Sequence, residues 1–584
     1  MNPSRVKARA YASPTLALLA MDWADGGKTP DFLGFAILRN PGLVHGGNPA
    51  YLLNKIGFDD SGEGPYTSDT APIQRFLWWD PAIDAGNRGK TIEYTVTPVR
   101  GHGKDSLTLV HEAEAKVRVR VPHIETDRIS TWFNRAVVSS QAFRREFPNL
   151  PQGLEKGMDW LANGIGDAFD TLLVGSPDVQ GAIYHLTDKR WVVPALEGFG
   201  GDLSLVYEDR SNDRVDRPAV KILTDDMPKF RGHPRGKTNI MHDKFLVDVK
   251  RGRVLMGSAN FTPEAITSQA NLLHIFRSRE LALLYRARHD RLAALPEPSV
   301  AQTAQGAAWS APVQVGAASI RVFFSPEPAN SRLSIDTVVQ AVKDAKSSVV
   351  FCMFDPTDPP LLKALLATGD QGKLLYGMLN KISDPTKSTG SQLATSTSGE
   401  PPAQPSPATE IQTTLFNRSR ADKKVLAYNY FRPGAAPKDF LPELSTIDTS
   451  RYSTAPPPTD GHSPPAVHIH HKFIVIDGET ADPTIYTGSA NLSNNSTHRN
   501  DENLLEIKGS VALARTYVAE FMRLYQHYRA RALWNMAHPP HGAPAAAAGE
   551  ALPSFKLRKN SSWTKDAYVV GAPGYLERTK LAHP

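Results

Sequence analysis

The chain reads as an α/β protein of two similar halves, preceded by a small all-β, sandwich-like domain. Three observations carry that reading. His-x-Lys, an apolar run and then Gly-Ser-Ala-Asn occur at His242 and again at His470. The order helix, strand, strand, motif precedes each occurrence. Ahead of both, short apolar segments alternate with Gly, Pro and Asp turns.

Each element follows from its local pattern. The domain over residues 1–122 holds apolar segments at 16–21, 33–38, 76–79, 92–99 and 106–110, the spacing of short strands joined by turns. In the first half, 125–300, a helix is expected over 165–172 and strands over 181–186 and 203–208, leading to His242. In the second half, 316–535, a helix is expected over 335–343 and strands over 348–354 and 373–379, leading to His470. Each half closes on a helix. Leu281, Leu284, Tyr285 and Arg288 in one, and Val518, Phe521, Met522 and Tyr525 in the other, recur at i, i+3, i+4 and i+7. Residues 296–312, rich in Ala, Pro and Gln, join the halves. The second half carries insertions at 384–409 and 433–465. The first is Ser/Thr/Pro-rich and is expected to be disordered. The second is Pro-rich and precedes His470, either as a plain loop or as a cover over the site. The tail, 536–584, mixes basic residues with Trp563, Tyr568 and Tyr575. It reads as a docked tail, with contact to a phosphate or a lipid headgroup as the alternative.

The motif spacing carries the chemistry. The apolar run after each His predicts a buried strand, and positions two apart on a strand share a face. His242 and Lys244 therefore point the same way, as do His470 and Lys472. A second strand then ends in Gly257-Ser258-Ala259-Asn260 in one copy and Gly488-Ser489-Ala490-Asn491 in the other. A hairpin can bring that turn beside the His and Lys. Imidazole, ammonium, hydroxyl and amide together suit a phosphate group. Two facing copies would let one His attack phosphorus while the other protonates the leaving oxygen. Lys244, Lys472, Asn260 and Asn491 would hold the phosphoryl oxygens, with Ser258 and Ser489 assisting. The scheme needs no metal and no cofactor.

The pattern resembles the phospholipase D superfamily, whose signature is HxKxxxxD followed by GSxN, present twice. The second copy matches at His470, Lys472, Asp477, Gly488, Ser489 and Asn491. The first matches at His242, Lys244, Gly257, Ser258 and Asn260 but has Val249 where the family has Asp, with Asp248 one residue early. The resemblance implies two α/β halves packed as a pseudo-dimer with the site at their seam. It implies that Asp477 braces its strand, and that the offset Asp248 leaves the first copy less rigid. Asn271-Leu272-Leu273 aligns with Asn503-Leu504-Leu505, which sets Ala270 against Glu502. Glu502 then fits as the carboxylate that orients His470, and Gln269, a carbonyl or a distant acid must serve His242. The resemblance favours His242 as nucleophile and His470 as acid; the carboxylate argues the reverse, and the order stays open here.

The plainer readings concern the remaining histidines and acids. His468, His470 and His471 suggest a metal, yet no third ligand stands at a recognisable spacing. His471 should point away from His470, into packing or solvent. Asp355 reads as a cap or turn residue.

Sixty-six Lys and Arg against 60 Asp and Glu leave a net charge of +6, mildly basic and compatible with an anionic substrate. The one cysteine, Cys352, excludes an intrachain disulfide. No window approaches a membrane span, and the N-terminal apolar run is too short for a signal peptide. A cytoplasmic monomer is expected, with export by a signal-independent route as the alternative. The expected activity is a phospholipase-D-like phosphodiesterase that hydrolyses or transfers phospholipid diesters through a phosphohistidine, with peripheral membrane contact. A nuclease using the same two His on DNA or RNA is the rival enzyme. An inactive binding protein is the rival of another class.

Overall fold

A computed structural model describes residues 3–43, 47–59, 61, 64–138, 140–380, 425–427, 446–456, 467–537 and 556–583. The 384–409 insertion lies outside them, as does most of 433–465.

Two eight-stranded sheets form the body of the molecule, and their strand orders match one for one. The first runs Glu125–Thr126, Ile129–Phe133, Leu272–Arg277, Arg253–Gly257, Lys244–Asp248, Asp178–Ile183, Asp202–Glu208, Phe230–Arg235. The second runs Val313–Val315, Ala318–Ser325, Glu502–Lys508, Thr484–Gly488, Lys472–Ile476, Ser348–Met353, Leu374–Leu379, Val425–Ala427. In each, three parallel strands meet an antiparallel hairpin that carries the motif. The motif strands are apolar and fully buried because helices and the opposite half cover both faces.

The halves meet in a repeated way. The closing helix of the first half, Arg279–Leu292, sets Tyr285 between Phe245 of its own sheet (4.9 Å) and Phe324 of the other (5.2 Å). The closing helix of the second, Val511–Ala537, sets Tyr517 between Phe473 (5.0 Å) and Phe133 (5.1 Å). Backbone bonds cross the seam beside each motif. His242 N donates to Asp501 O (2.9 Å), and His470 N donates to Ala270 O (3.1 Å).

The N-terminal region is all-β. One sheet holds Lys7–Ser13, Leu16–Asp22 and Leu77–Asp80; the other holds Ala115–Arg120, Thr91–Arg100, Phe32–Asn40 and Ala50–Tyr51. The strand at Lys7–Ser13 was not expected, because its alternating charges hide the pairing that buries its second half. Asp80 joins the two sheets through an ion pair with Arg39 (2.8 Å) and a hydrogen bond accepted from Tyr94 OH (2.8 Å). The tail docks against this region: Trp563 packs on Phe32 and Phe76, Tyr568 OH donates to Trp23 O, and Arg578 pairs with Asp22. Tail residue Glu577 also reaches the second half through Tyr376 and Arg529. No helix of the described residues is long and apolar enough to cross a membrane.

Candidate active site at the seam

Each motif strand begins at its Lys, so His242 and His470 sit just off the strand ends, at the seam. Lys244 Nζ donates to His242 O (2.6 Å) and Lys472 Nζ to His470 O (2.7 Å). Each ammonium also faces an aromatic ring, Tyr184 for Lys244 (5.1 Å) and Phe354 for Lys472 (5.4 Å). The same rings lie against His242 (5.0 Å) and His470 (5.3 Å). Tyr184 and Phe354 follow equivalent strands, and no motif marks them in the sequence.

Each His is oriented from the opposite half. His242 Nδ1 bonds Glu502 Oε2 (2.8 Å), and His470 Nδ1 bonds Asn271 Oδ1 (2.9 Å). The expected pairing of Glu502 with His470 is therefore corrected: Glu502 serves His242. The error lies in the Asn-Leu-Leu alignment. Gly257 stands opposite Leu273 and Gly488 opposite Leu504, so Asn271, not Ala270, is the counterpart of Glu502. A one-residue slip on a strand moves every side chain to the other face.

The Asn271 oxygen can only accept, and so can Glu502 once ionised, so each Nδ1 then carries the hydrogen and each Nε2 keeps its lone pair. The Asn271 amide is fixed the right way round because its Nδ2 donates to Ala265 O (2.9 Å).

The motif serines, expected to assist at the phosphoryl group, spend their hydroxyl protons on the partners of the histidines. Ser258 Oγ donates to Asn271 Oδ1 (2.8 Å) and Ser489 Oγ to Glu502 Oε2 (2.8 Å), and both are fully buried. They hold the partners of the histidines. Glu502 accepts further from Ser496 Oγ (3.1 Å) and Asn500 Nδ2 (3.2 Å). Gly257 and Gly488 are required because a Cβ would lie 2.3 Å from Leu272 O and from Asn503 O, with Gly488 at φ +149°. Asn260 and Asn491 follow on the two turns, their Oδ1 atoms buried with no partner among the described residues.

Burial sets the charge state. It pushes His242 and His470 well below the usual imidazole range, and Lys244 and Lys472 beside them push the same way. It pulls Lys244 down to about 7 against the attraction of Glu502, and Lys472 well below its usual range. It raises Glu502 to about 7, against the pull of Lys244. Burial thus favours neutral imidazoles and weakens the charge on both lysines, which an anion between them would restore.

The two acids of the motifs differ in route but hold the same loop. Asp477 accepts from Lys346 N (2.9 Å), Ser347 N (2.7 Å) and Ser348 N (3.0 Å) at the start of the neighbouring strand. Asp248, expected to leave its copy looser, is fully buried and accepts from Ser176 Oγ (2.5 Å) and Arg251 N (2.9 Å). Ser176 precedes the equivalent strand, so the first copy is braced as well.

Beneath the site, Asp243 pairs with Arg288 (3.1 Å) and Asp501 with Arg235 (2.9 Å), all four buried. His471 points away and packs on Phe133 (5.5 Å) and Phe473 (5.2 Å). No group of three metal-ligating side chains occurs among the described residues. Asp358, not Asp355, caps the helix that follows, accepting from Leu361 N (2.9 Å).

Residues 338–525 match the family model described as cardiolipin synthase, PLD-like domain. No curated protein matches the chain. Among solved structures, it is similar to phosphatidylserine synthase of Haemophilus influenzae Rd KW20, at 12% identity over 69% of this chain and 87% of that one, with a TM-score of 0.41. It is also similar to yeast tyrosyl-DNA phosphodiesterase, at 10% identity over 59% of this chain and 84% of that one (TM-score 0.30). Nuc of Salmonella typhimurium, a phospholipase D family member, matches at 16% identity over 36% and 95% (TM-score 0.21).

Proposed function

We propose that this protein is a phosphodiesterase that hydrolyses or transfers phospholipid diesters through a phosphohistidine, a reading supported by the match of residues 338–525 to a PLD-like domain. The observation that carries the reading is the crossed pairing of the two motif histidines, His242 with a carboxylate and His470 with an amide.

That difference supports a division of roles. A nucleophilic imidazole becomes positively charged as its Nε2 bonds phosphorus, and the Glu502 carboxylate balances that charge. A general acid must release its proton, and a neutral amide orients it without holding the proton back. His242 Nε2 therefore attacks phosphorus, and the leaving alcohol oxygen takes a proton from His470. His470, now neutral, takes a proton from water or an incoming alcohol. That oxygen attacks phosphorus and the bond to His242 breaks. Lys244, Lys472 and the amides of Asn260 and Asn491 balance charge on the remaining phosphoryl oxygens. An anionic diester between the two ammonium groups would also let His470 hold the proton it must give. Ser258 and Ser489 position Asn271 and Glu502; Asp477, Asp248, Gly257 and Gly488 support the strands.

The match to a model named for cardiolipin synthase supports a lipid over a nucleic acid. The test is turnover of a chromogenic diester, phospholipid vesicles, and single- and double-stranded DNA, with EDTA present. Wild type should turn over a diester, vesicles fastest among the natural substrates, and His242→Ala and His470→Ala should each lose it. Faster cleavage of DNA would replace the lipid by a nucleic acid, and no turnover of any diester would leave a binding protein.

A further inference from the structure

The two halves differ most in the link that leads into the motif. Residues 236–243 make it in the first half; residues 428–471 make it in the second. Of the long link, residues 446–456 lie on the opposite half. Ile447, 9% exposed, packs with Phe143, Met158 and Leu161. Lys189 N donates to Tyr452 O (2.8 Å), and Thr454 N donates to Thr187 O (2.8 Å). Tyr452 OH donates to Glu155 Oε1 (2.6 Å), and the Arg190 guanidinium lies 5.6 Å from its ring. Thr449 bonds Glu264.

This attachment lies beside the chemistry. Thr187 N and Asp188 N both donate to Phe261 O, and Phe261 N donates to His185 O; Phe261 follows Asn260 directly. His185 follows Tyr184, the ring against His242. The chain then re-enters the seam at His468, whose carbonyl accepts from Ala270 N (2.7 Å), two residues before His470. Residues 446–456 thus lie along the first half beside Thr187–Lys189, and residues 468–470 lie at the seam. At the equivalent place in the second half, Asp358 is met by Arg332 of its own half (2.9 Å).

We propose that residues 446–456 are the substrate-selecting element of this site, a strap that narrows its entrance along the first half. A slim, flexible diester arm passes; a rigid double helix does not. A lipid headgroup and a loose single strand share that shape. The proposal rests on the phosphodiesterase reading and goes beyond it by naming the form of substrate admitted.

The test is an anchor-release variant, Ile447→Ala with Tyr452→Ala. A second variant exchanges 446–456 for a Gly/Ser segment of equal length. The substrates are bis(p-nitrophenyl) phosphate, phosphatidylcholine vesicles, and one oligonucleotide single-stranded and as a duplex. Small-diester kcat/KM should stay within about twofold while duplex cleavage rises at least about tenfold. An unchanged ratio of duplex to small diester overturns the proposal, as does parallel loss on all substrates with melting unaltered. Failure of the unaltered protein on every diester would instead refute the phosphodiesterase reading on which the strap depends.

Discussion

Replacing Glu502 by Gln removes one charge and leaves the shape. Glu502 is fully buried, and its carboxyl is raised to about 7 from a usual value of 4.5. The folded protein therefore holds a proton there that the unfolded chain releases between those values. Stability from this group falls as pH rises through that window, by about 3 kcal/mol in full. Gln carries no such penalty. It forfeits charge-assisted bonds to His242 and Ser489, worth about 1 kcal/mol more than neutral ones. At about pH 8 the variant should be more stable by about 2 kcal/mol, and near pH 4 the gain should vanish. Catalysis should move the other way. The amide still accepts from His242 Nδ1 but no longer balances a phosphorylated imidazole, so kcat should fall about 10- to 30-fold, or about 1.4–2 kcal/mol. Urea titrations at the two pH values and kcat on a chromogenic diester measure both. A variant that is less stable at pH 8, or that keeps wild-type kcat, would refute the assignment of Glu502 as the charged partner of a nucleophile.

Two further outcomes follow from the same geometry. Asp477→Asn keeps a residue that tolerates the backbone φ of +53° but weakens the acceptor for three N–H groups. It should cost about 2–4 kcal/mol in urea titrations, and Asp248→Asn, with one backbone N–H and one hydroxyl to lose, about half as much. A shift in the reverse order would refute the view that Asp477 is the stronger brace. Tungstate, an oxyanion, should bind the unaltered protein more weakly as pH rises through about 7. Lys244 loses its proton there and Glu502 becomes charged over the same range, so both changes oppose an anion. Calorimetry should show affinity falling about tenfold per pH unit with proton uptake on binding; a flat profile between about pH 6 and pH 9 would refute it.

Strands and motifs were legible because their signals are local. The apolar run after each His demands burial, and His-x-Lys places both side chains on one face whatever surrounds them. The partners of the histidines were not legible, because each comes from the other half and depends on strand register. Asn271-Leu272-Leu273 and Asn503-Leu504-Leu505 look like the same tripeptide, yet the hairpins set them one residue out of step. Only the pairing of Gly257 with Leu273 and Gly488 with Leu504 reveals the offset. Asp248 misled for a related reason. A residue count puts it on the wrong face, but Ser176 supplies a hydroxyl where the second half uses backbone N–H groups. Tyr184 and Phe354 carried no signal beyond being aromatic at a strand end.

The scaffold repeats so closely that the chemistry must come from where it does not repeat. Two identical imidazoles with identical partners would share one affinity for a proton and could not divide attack from proton transfer. Strand order, the Lys-to-carbonyl bonds, the Ser-to-partner bonds and the aromatic walls are common to both halves. The partner atoms are not: a carboxylate oxygen at Glu502 stands where Asn271 supplies an amide oxygen. One such difference, buried where water screens little, is enough to separate the two histidines in basicity. The strap acts at the next level outward, on the same principle. Among the described residues, the 446–456 segment lies on the first half alone, beside the strand end that carries Tyr184 and His185, and so gives a repeated scaffold a direction.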